Sequence, residues 1–406
     1  MPDPISWYAL GRDVNDPQTI LEAVDEKILT HNLDPSAHGQ SDEAVYNHRI
    51  STLLDHVNYS IYNIKTNPST RPIKAFVDIG GAGDFRNLAD SVAYVNALGG
   101  GRIFVKSGEY YLPADLNIFS NIQFEGEDDE LSIINFNGDH KINCLGSAVN
   151  WKQNVSFKNL QFKGYRGNNL KAMYFQYFAD LIFEDCKFYD NHYANIGNPS
   201  PVIYADNVLN IHIDRCKVEL NDHLIKAYNT NFLSVDDCDF NTNSYNNIYL
   251  NGVIAVDVSN NRITQNEDYF LKYESGAGKI TFNKNKFIEY CAGLVYGNVV
   301  GSGNFADNQA DSFMGSNHGF YFSGSSDLHF RDNDIMGAGG SGIKLHSTSR
   351  STMHGNNIQD CAVFGVDIDD APSYNNIIAL NEIMGNGEDN IHDLGTDTIV
   401  EHNQPI

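Results

Sequence analysis

The chain has 406 residues, 41% hydrophobic and 19% charged, with 34 glycines, 11 prolines and a formal net charge of −25. Such acidity excludes nucleic acid as a partner, since no basic patch is available to displace counterions, and it argues against docking on an anionic membrane. No apolar run reaches membrane-spanning length, and 22 tyrosines with 23 phenylalanines suit a strand-rich protein.

Residues 1–70 form a helical N-terminal region by pattern. Pro17–Leu29 reads as a helix capped by Asp16, with proline at the first helical position. Ser41–Val57 reads as a second helix, in which Tyr46, Ile50, Leu53 and Val57 step by 4, 3 and 4 along one seam. So short a seam is stable only when packed, on its own chain or between chains. Between the helices lies His31-Asn-Leu-Asp-Pro-Ser-Ala-His38. This segment resembles the HN…AH linker of phage and prophage tail-fibre and tailspike proteins, over about a dozen residues. The resemblance implies an attachment and oligomerisation region. His31 and His38 suit caps or inter-chain hydrogen bonds better than a metal.

Residues 71–145 follow as an opening segment. From Gly83 to Tyr111 come a helix, the glycine stop Gly99-Gly-Gly101, a strand at Ile103–Val105 and a turn at Gly108-Glu-Tyr110. This order is similar to the opening segment of pectate-lyase-like β-helix proteins, phage tailspikes among them. The resemblance implies a helix that covers the open end of a solenoid and blocks edge-to-edge pairing.

Residues 146–406 repeat one short pattern: apolar, two residues, Asn or Cys, one residue, apolar. It runs from Phe183-Glu-Asp-Cys186-Lys-Phe188 through Cys216, Cys238, Asn261, Asn285, Asn308, Asn333, Asn356 and Asn381 to Asn403, in steps of 22 to 30 residues. That period, built of short alternating runs and Asn/Gly turns, predicts a right-handed, single-stranded parallel β-helix. Equivalent residues of successive coils then sit about 4.8 Å apart, so a buried Asn can bond the Asn above and below it. Cys186, Cys216 and Cys238 share that rung as buried free thiols. None of the six cysteines has metal-knuckle spacing.

Each coil carries a second strand upstream of this rung, from Met173-Tyr-Phe to Ile391-His-Asp. Alternation places Tyr174, Tyr204, Lys226, Tyr249, Lys272, Val295, Tyr321, Lys344, Asp367 and His392 in one outward column. A second holds Gln176, Asp206, Tyr228, Asn251, Glu274, Gly297, Ser323, His346 and Asp369. Tyr249, Lys272, Glu274, Tyr321 and Lys344 are the expected binding residues: rings for the apolar faces of sugars, charges for hydroxyl or acidic groups. Asp367 and Asp369, with Cα atoms about 6–7 Å apart along a strand, suit the carboxylate separation of an inverting glycosidase, with His346 as the alternative proton carrier. No cofactor or resident metal is expected, although Asp370 beside these acids would suit a Ca²⁺ ion. The motif sets of polygalacturonases and of alginate epimerases and lyases are absent or scrambled: His318-Gly319, Ile343-Lys344 and Asp369-Asp370 occur in the wrong order.

The expectation is a homotrimeric tailspike-like protein that binds a host surface polysaccharide, with depolymerisation of that polysaccharide left open. It would sit in a virion tail among tail or baseplate proteins, or be extracellular after release without a signal peptide, since Met1–Trp7 has no basic or apolar leader region. The alternatives are a stand-alone polysaccharide lyase, hydrolase or epimerase, and a purely structural virion protein.

Overall fold

The computed structural model describes residues 73–404 apart from 167–170, 192–199, 277, 312 and 314. The N-terminal helices and the HN…AH segment lie outside the described residues. Residues Ala75–Ile406 form one compact unit. It is a right-handed parallel β-solenoid of about 13 turns.

Most coils contribute three strands, the first two fused in Met173–Glu184 and Pro201–Asp214, and strands pair in parallel with their equivalents in the neighbouring coils. We name the stacks the front, side and back sheets. In one coil these are Ile343–His346 (front), Thr352–His354 (side) and Asn357–Gln359 (back). The register holds through the stack: Tyr321 pairs Lys344, which pairs Asp367, which pairs His392. Inward residues of all three sheets form a single core, with stacked rungs such as Phe124–Phe157–Phe183, whose ring centroids are 5.1 and 5.0 Å apart.

The bend between side and back sheets is where the repeat lies. A residue in the left-handed conformation turns the chain: Asn260, Lys284, Asp307, Asp332 and Leu380 have φ of 53 to 58°. The next residue is the buried Asn. Its Nδ2 donates to the Oδ1 of the Asn one coil on, from Asn261 through Asn285, Asn308, Asn333, Asn356 and Asn381 to Asn403, at 2.8–3.1 Å. The same Nδ2 donates to a strand carbonyl below, and the same Oδ1 accepts a backbone N–H, as in Asn308 Nδ2 to Phe282 O at 2.8 Å and Asn285 N to Asn308 Oδ1 at 3.0 Å. Cys186, Cys216 and Cys238 continue this rung as free buried thiols, and Cys216 N donates to Cys238 Sγ at 3.4 Å.

Two features differ from the sequence expectation, and the opening helix agrees with it. A second ladder, Asn191–Asn221–Asn243, occupies the bend after the back sheet. Its asparagines follow left-handed Asp190, Leu220 and Thr242, but the ladder is too short to stand out as a repeat. Gly108–Tyr111 is the first back strand, paired with Ser132–Gly138, and not a turn; the bend precedes it at Ser107. The opening helix, α1 (Leu88–Ala97), starts at Asn87, whose side chain accepts from Asp90 N, and buries Leu88, Val92 and Val95 in the core.

Candidate functional site

The front sheet carries the outward columns. In the observed register the first column is Tyr174, Tyr204, Lys226, Tyr249, Lys272, Tyr296, Tyr321, Lys344, Asp367, His392. Tyr296 therefore stands where the alternation had placed Val295, and Asn298 pairs Ser323 where Gly297 was expected. The reason is an apolar doublet: Leu294 and Val295, neighbours in one strand, are both fully buried, as Leu224 and Ile225 are three coils earlier. Reading Leu294 as the first inward residue shifts the frame by one, and a one-residue shift exchanges the two faces.

The rings of this column pack on one another. Tyr296 and Tyr321 stack with centroids 5.2 Å apart at 22°, and His318 stacks on Tyr321 at 5.6 Å and 21°. Tyr204 stacks on Tyr228 at 5.3 Å, and Tyr228 leans on Tyr249 at 5.9 Å. Lys272 lies over both Tyr249 and Tyr296, while its Nζ is 2.7 Å from Glu274 Oε1. Gly293 permits a close approach here, because a Cβ at that position would stand 2.5 Å from the ring of Tyr269. Tyr269 Oη in turn accepts from His318 N at 3.3 Å.

At the C-terminal end of the column the ionisable groups converge. Lys344 Nζ lies 2.9 Å from Asp367 Oδ2 and 2.9 Å from Asp369 Oδ2. His392 Nδ1 is 2.8 Å from Asp367 Oδ1, and His346 Nδ1 is 2.8 Å from Asp369 Oδ1 and 3.4 Å from Asp370 Oδ2. A carboxylate only accepts, so both Nδ1 atoms carry a proton. Asp367, expected to face outward, is only 2% exposed because Lys344, His392 and Ser341 close over it. Asp370 is held apart by Ser347 and Ser373.

This geometry alters the chemistry read from the two acids. The Lys344 ammonium bridges the two carboxylates, 2.9 Å from one oxygen of each, where an inverting pair leaves room for a water. Burial raises the Asp369 carboxyl, but hydrogen bonds from Lys344 and His346 outweigh it and leave the group below its ordinary value. Asp369 is therefore ionised at neutral pH and has no proton to give. Burial likewise lowers Lys344, and its two aspartates more than reverse that, raising it above its usual value. His318 is pushed down to about 4, chiefly by burial and then by the charge of Lys344; it accepts from Ser341 N at Nδ1, 2.8 Å away.

Of the expected site residues, Tyr321, Lys344, His346, Asp367 and Asp369 come together in one cluster. Tyr249, Lys272 and Glu274 form a second, joined to the first through Tyr296. The sequence reading missed His318, Ser341 and Tyr296, and gave His392 no role. The signal for His392 was its register with Asp367; His318 and Ser341 sit in bends, where alternation says nothing.

Residues 209–403 match the family described as periplasmic copper-binding protein (NosD). No curated protein sequence matches the chain. Among solved structures, tailspike protein 3 of bacteriophage CBA120 superposes with a TM-score of 0.57 at 13% identity, covering 79% of this chain and 58% of the tailspike. The periplasmic alginate epimerase AlgG aligns at 0.47 and 11% identity over 76% of this chain and 85% of its own. The Agl-KA catalytic domain aligns at 0.49 and 12% over 82% and 69%. The likeness to the tailspike is one of fold, and this chain spans a little over half of that protein.

The donors present do not suit the copper of the family's description. Among the described residues, His346, Asp369 and Asp370 bring ligand atoms within 4.8 Å of one another. One imidazole and two carboxylates, with an ammonium 2.9 Å from one carboxylate, do not match copper, which prefers several imidazole or sulfur donors. The six thiols are buried in the solenoid. A Ca²⁺ ion, which the sequence suggested, would meet better-suited oxygens but would have to displace the same ammonium.

Proposed function

We propose that this chain is a tailspike-like receptor-binding protein whose front sheet holds a surface polysaccharide, with a proton-transfer centre at the C-terminal end of the column. The carrying observation is the pair of aspartate–histidine contacts on either side of Lys344, next to a continuous run of tyrosines. Each aspartate holds its imidazole through Nδ1, which is how a general base or acid is oriented. His346 and His392 are thus the proton carriers, and Asp367 and Asp369 position them. Tyr249, Lys272, Glu274, Tyr296 and Tyr321 line the path of the chain that is bound.

A homotrimer held partly by residues 1–70, in a virion tail or otherwise outside the cytoplasm, fits the HN…AH resemblance and the tailspike fold. Sedimentation tests it: the full-length protein should run as a trimer, and removal of residues 1–70 should lower the mass while keeping the strand signal in circular dichroism. The activity test is incubation with bacterial surface polysaccharides, followed by assays for reducing ends and for unsaturated products. Binding with no new ends limits the protein to adhesion. A monomer that releases ends supports a stand-alone enzyme instead.

A further inference from the structure

The charges on the front sheet are spent within the protein. Lys344 is shared by Asp367 and Asp369, and Lys272 is held by Glu274. Lys171 lies over Tyr174 and Tyr204, 3.4 and 4.5 Å from the ring centroids, and Lys226 lies over Tyr249 at 5.7 Å. Burial lowers the pKa of both, so neither is an exposed point charge awaiting an anion. The acids of the same face, among them Asp206, Glu274, Asp367, Asp369 and Asp370, leave it negative on balance, within a chain of net charge −25.

A cleft of about 510 Å³ opens beside this face, at the bends that lead into the front strands. Thr242, Gln265, Glu267, Tyr290, Ser316 and Asn317 are among its lining residues. Among the described residues that line it there is one acid and no cation. Amide and hydroxyl groups with an exposed tyrosine ring suit a ligand that is rich in hydroxyls and carries no charge. The cleft adjoins the column through Tyr269, which follows Asn266 in the same strand and packs on Tyr296 at 5.7 Å.

We propose that the ligand of the front sheet and its adjoining cleft is an uncharged polysaccharide, built of neutral hexoses or deoxyhexoses and not of uronic or other acidic sugars. This rests on the glycan reading above and reverses the sequence expectation that Lys272 and Lys344 would hold an acidic group. An acidic chain would have to break the Lys344 and Lys272 pairs while approaching a field of its own sign.

The test is retention of the full-length protein on immobilised bacterial surface polysaccharides of known composition. Each acidic sample is paired with its carboxyl-reduced, neutral form. Neutral polysaccharide should be retained, with affinity changing less than about twofold between 50 and 500 mM NaCl, since no ion pair is formed to be screened. Retention of acidic samples alone, weakening about tenfold over that range, overturns the inference and leaves the glycan reading standing. Retention of neither class overturns both. Glu274→Gln supplies the second arm. By releasing Lys272 it should raise retention of acidic samples at least about threefold at low salt. If it leaves them unchanged, internal pairing is not what excludes acidic sugars, and the inference falls.

Discussion

The bend between side and back sheets and the outward face of the front sheet are built by opposite rules. At the bend one residue type recurs, and each Asn satisfies its polar atoms with the Asn of the next coil. On the front face no residue type holds for more than two coils in the first column, and polar atoms are satisfied by unlike partners, Lys by Asp and Asp by His. Repetition along a solenoid marks what stacking requires. Where the register persists and the chemistry stops repeating, the side chains answer to something outside the stack.

The comparison is tested most severely at the bend. Asn308→Leu removes Oδ1 from Asn285 N and Nδ2, and removes the donor to Phe282 O and Asn333 Oδ1. Each stranded buried group costs about 1–3 kcal/mol, so a large drop in the urea midpoint is expected with little effect on binding beyond the loss of folded protein.

Asp367→Asn should do both. It should abolish binding or cleavage, and, because Asp367 is 2% exposed, it also leaves Lys344 and His392 with a weaker partner. A loss of stability of about 1–3 kcal/mol is expected by denaturation. Tyr321→Ala, on the same column but half-buried, should lower glycan affinity about tenfold while stability shifts by less than about 1.5 kcal/mol.

The pH dependence sharpens the same contrast. Asp369 has a folded pKa below its unfolded value. Its contribution is full above the unfolded pKa, near 3.9, and is lost as pH falls through the folded value. Lys344 is raised, so its contribution is full below about 10.4 and lost as pH rises through the higher folded value. Asp369→Asn should flatten the acid limb of a melting-temperature profile, and Lys344→Met the alkaline limb. Unchanged limbs in both variants would show that the cluster adds nothing to stability. The smallest effect is expected at Gln309→Ala. Gln309 faces outward on the back sheet and bonds only Asp311, two residues away; less than about 0.5 kcal/mol and unaltered binding are expected.

The coil period and the main ladder were legible because both repeat. Asn261 to Asn403 announced themselves through the apolar residues that move with them. The columns were legible to the extent that one apolar residue begins each strand, and the frame slipped at Leu294-Val295, where two do. What the sequence hid is pairing across coils. Lys344, Asp367 and His392 are separated by 23 and 25 residues, and nothing local says that the three share hydrogen bonds or that Asp367 is thereby closed off from water. His318 and Ser341 enter from bends, whose direction depends on the coil beneath.

The ladder also has a polarity. From Asn261 to Asn381 every side-chain bond between two asparagines runs from Nδ2 to the Oδ1 of the next coil toward the C-terminus. The side-chain amide dipoles are therefore aligned head to tail, as peptide dipoles are in an α-helix. Each is polarised by its neighbours, so a bond in the middle of the row is stronger than one at its end. The row has a positive pole at the C-terminal coils and a negative one where the thiols of Cys238 and Cys216 take over. A change of rung at either pole should be milder than the same change at Asn308 or Asn333.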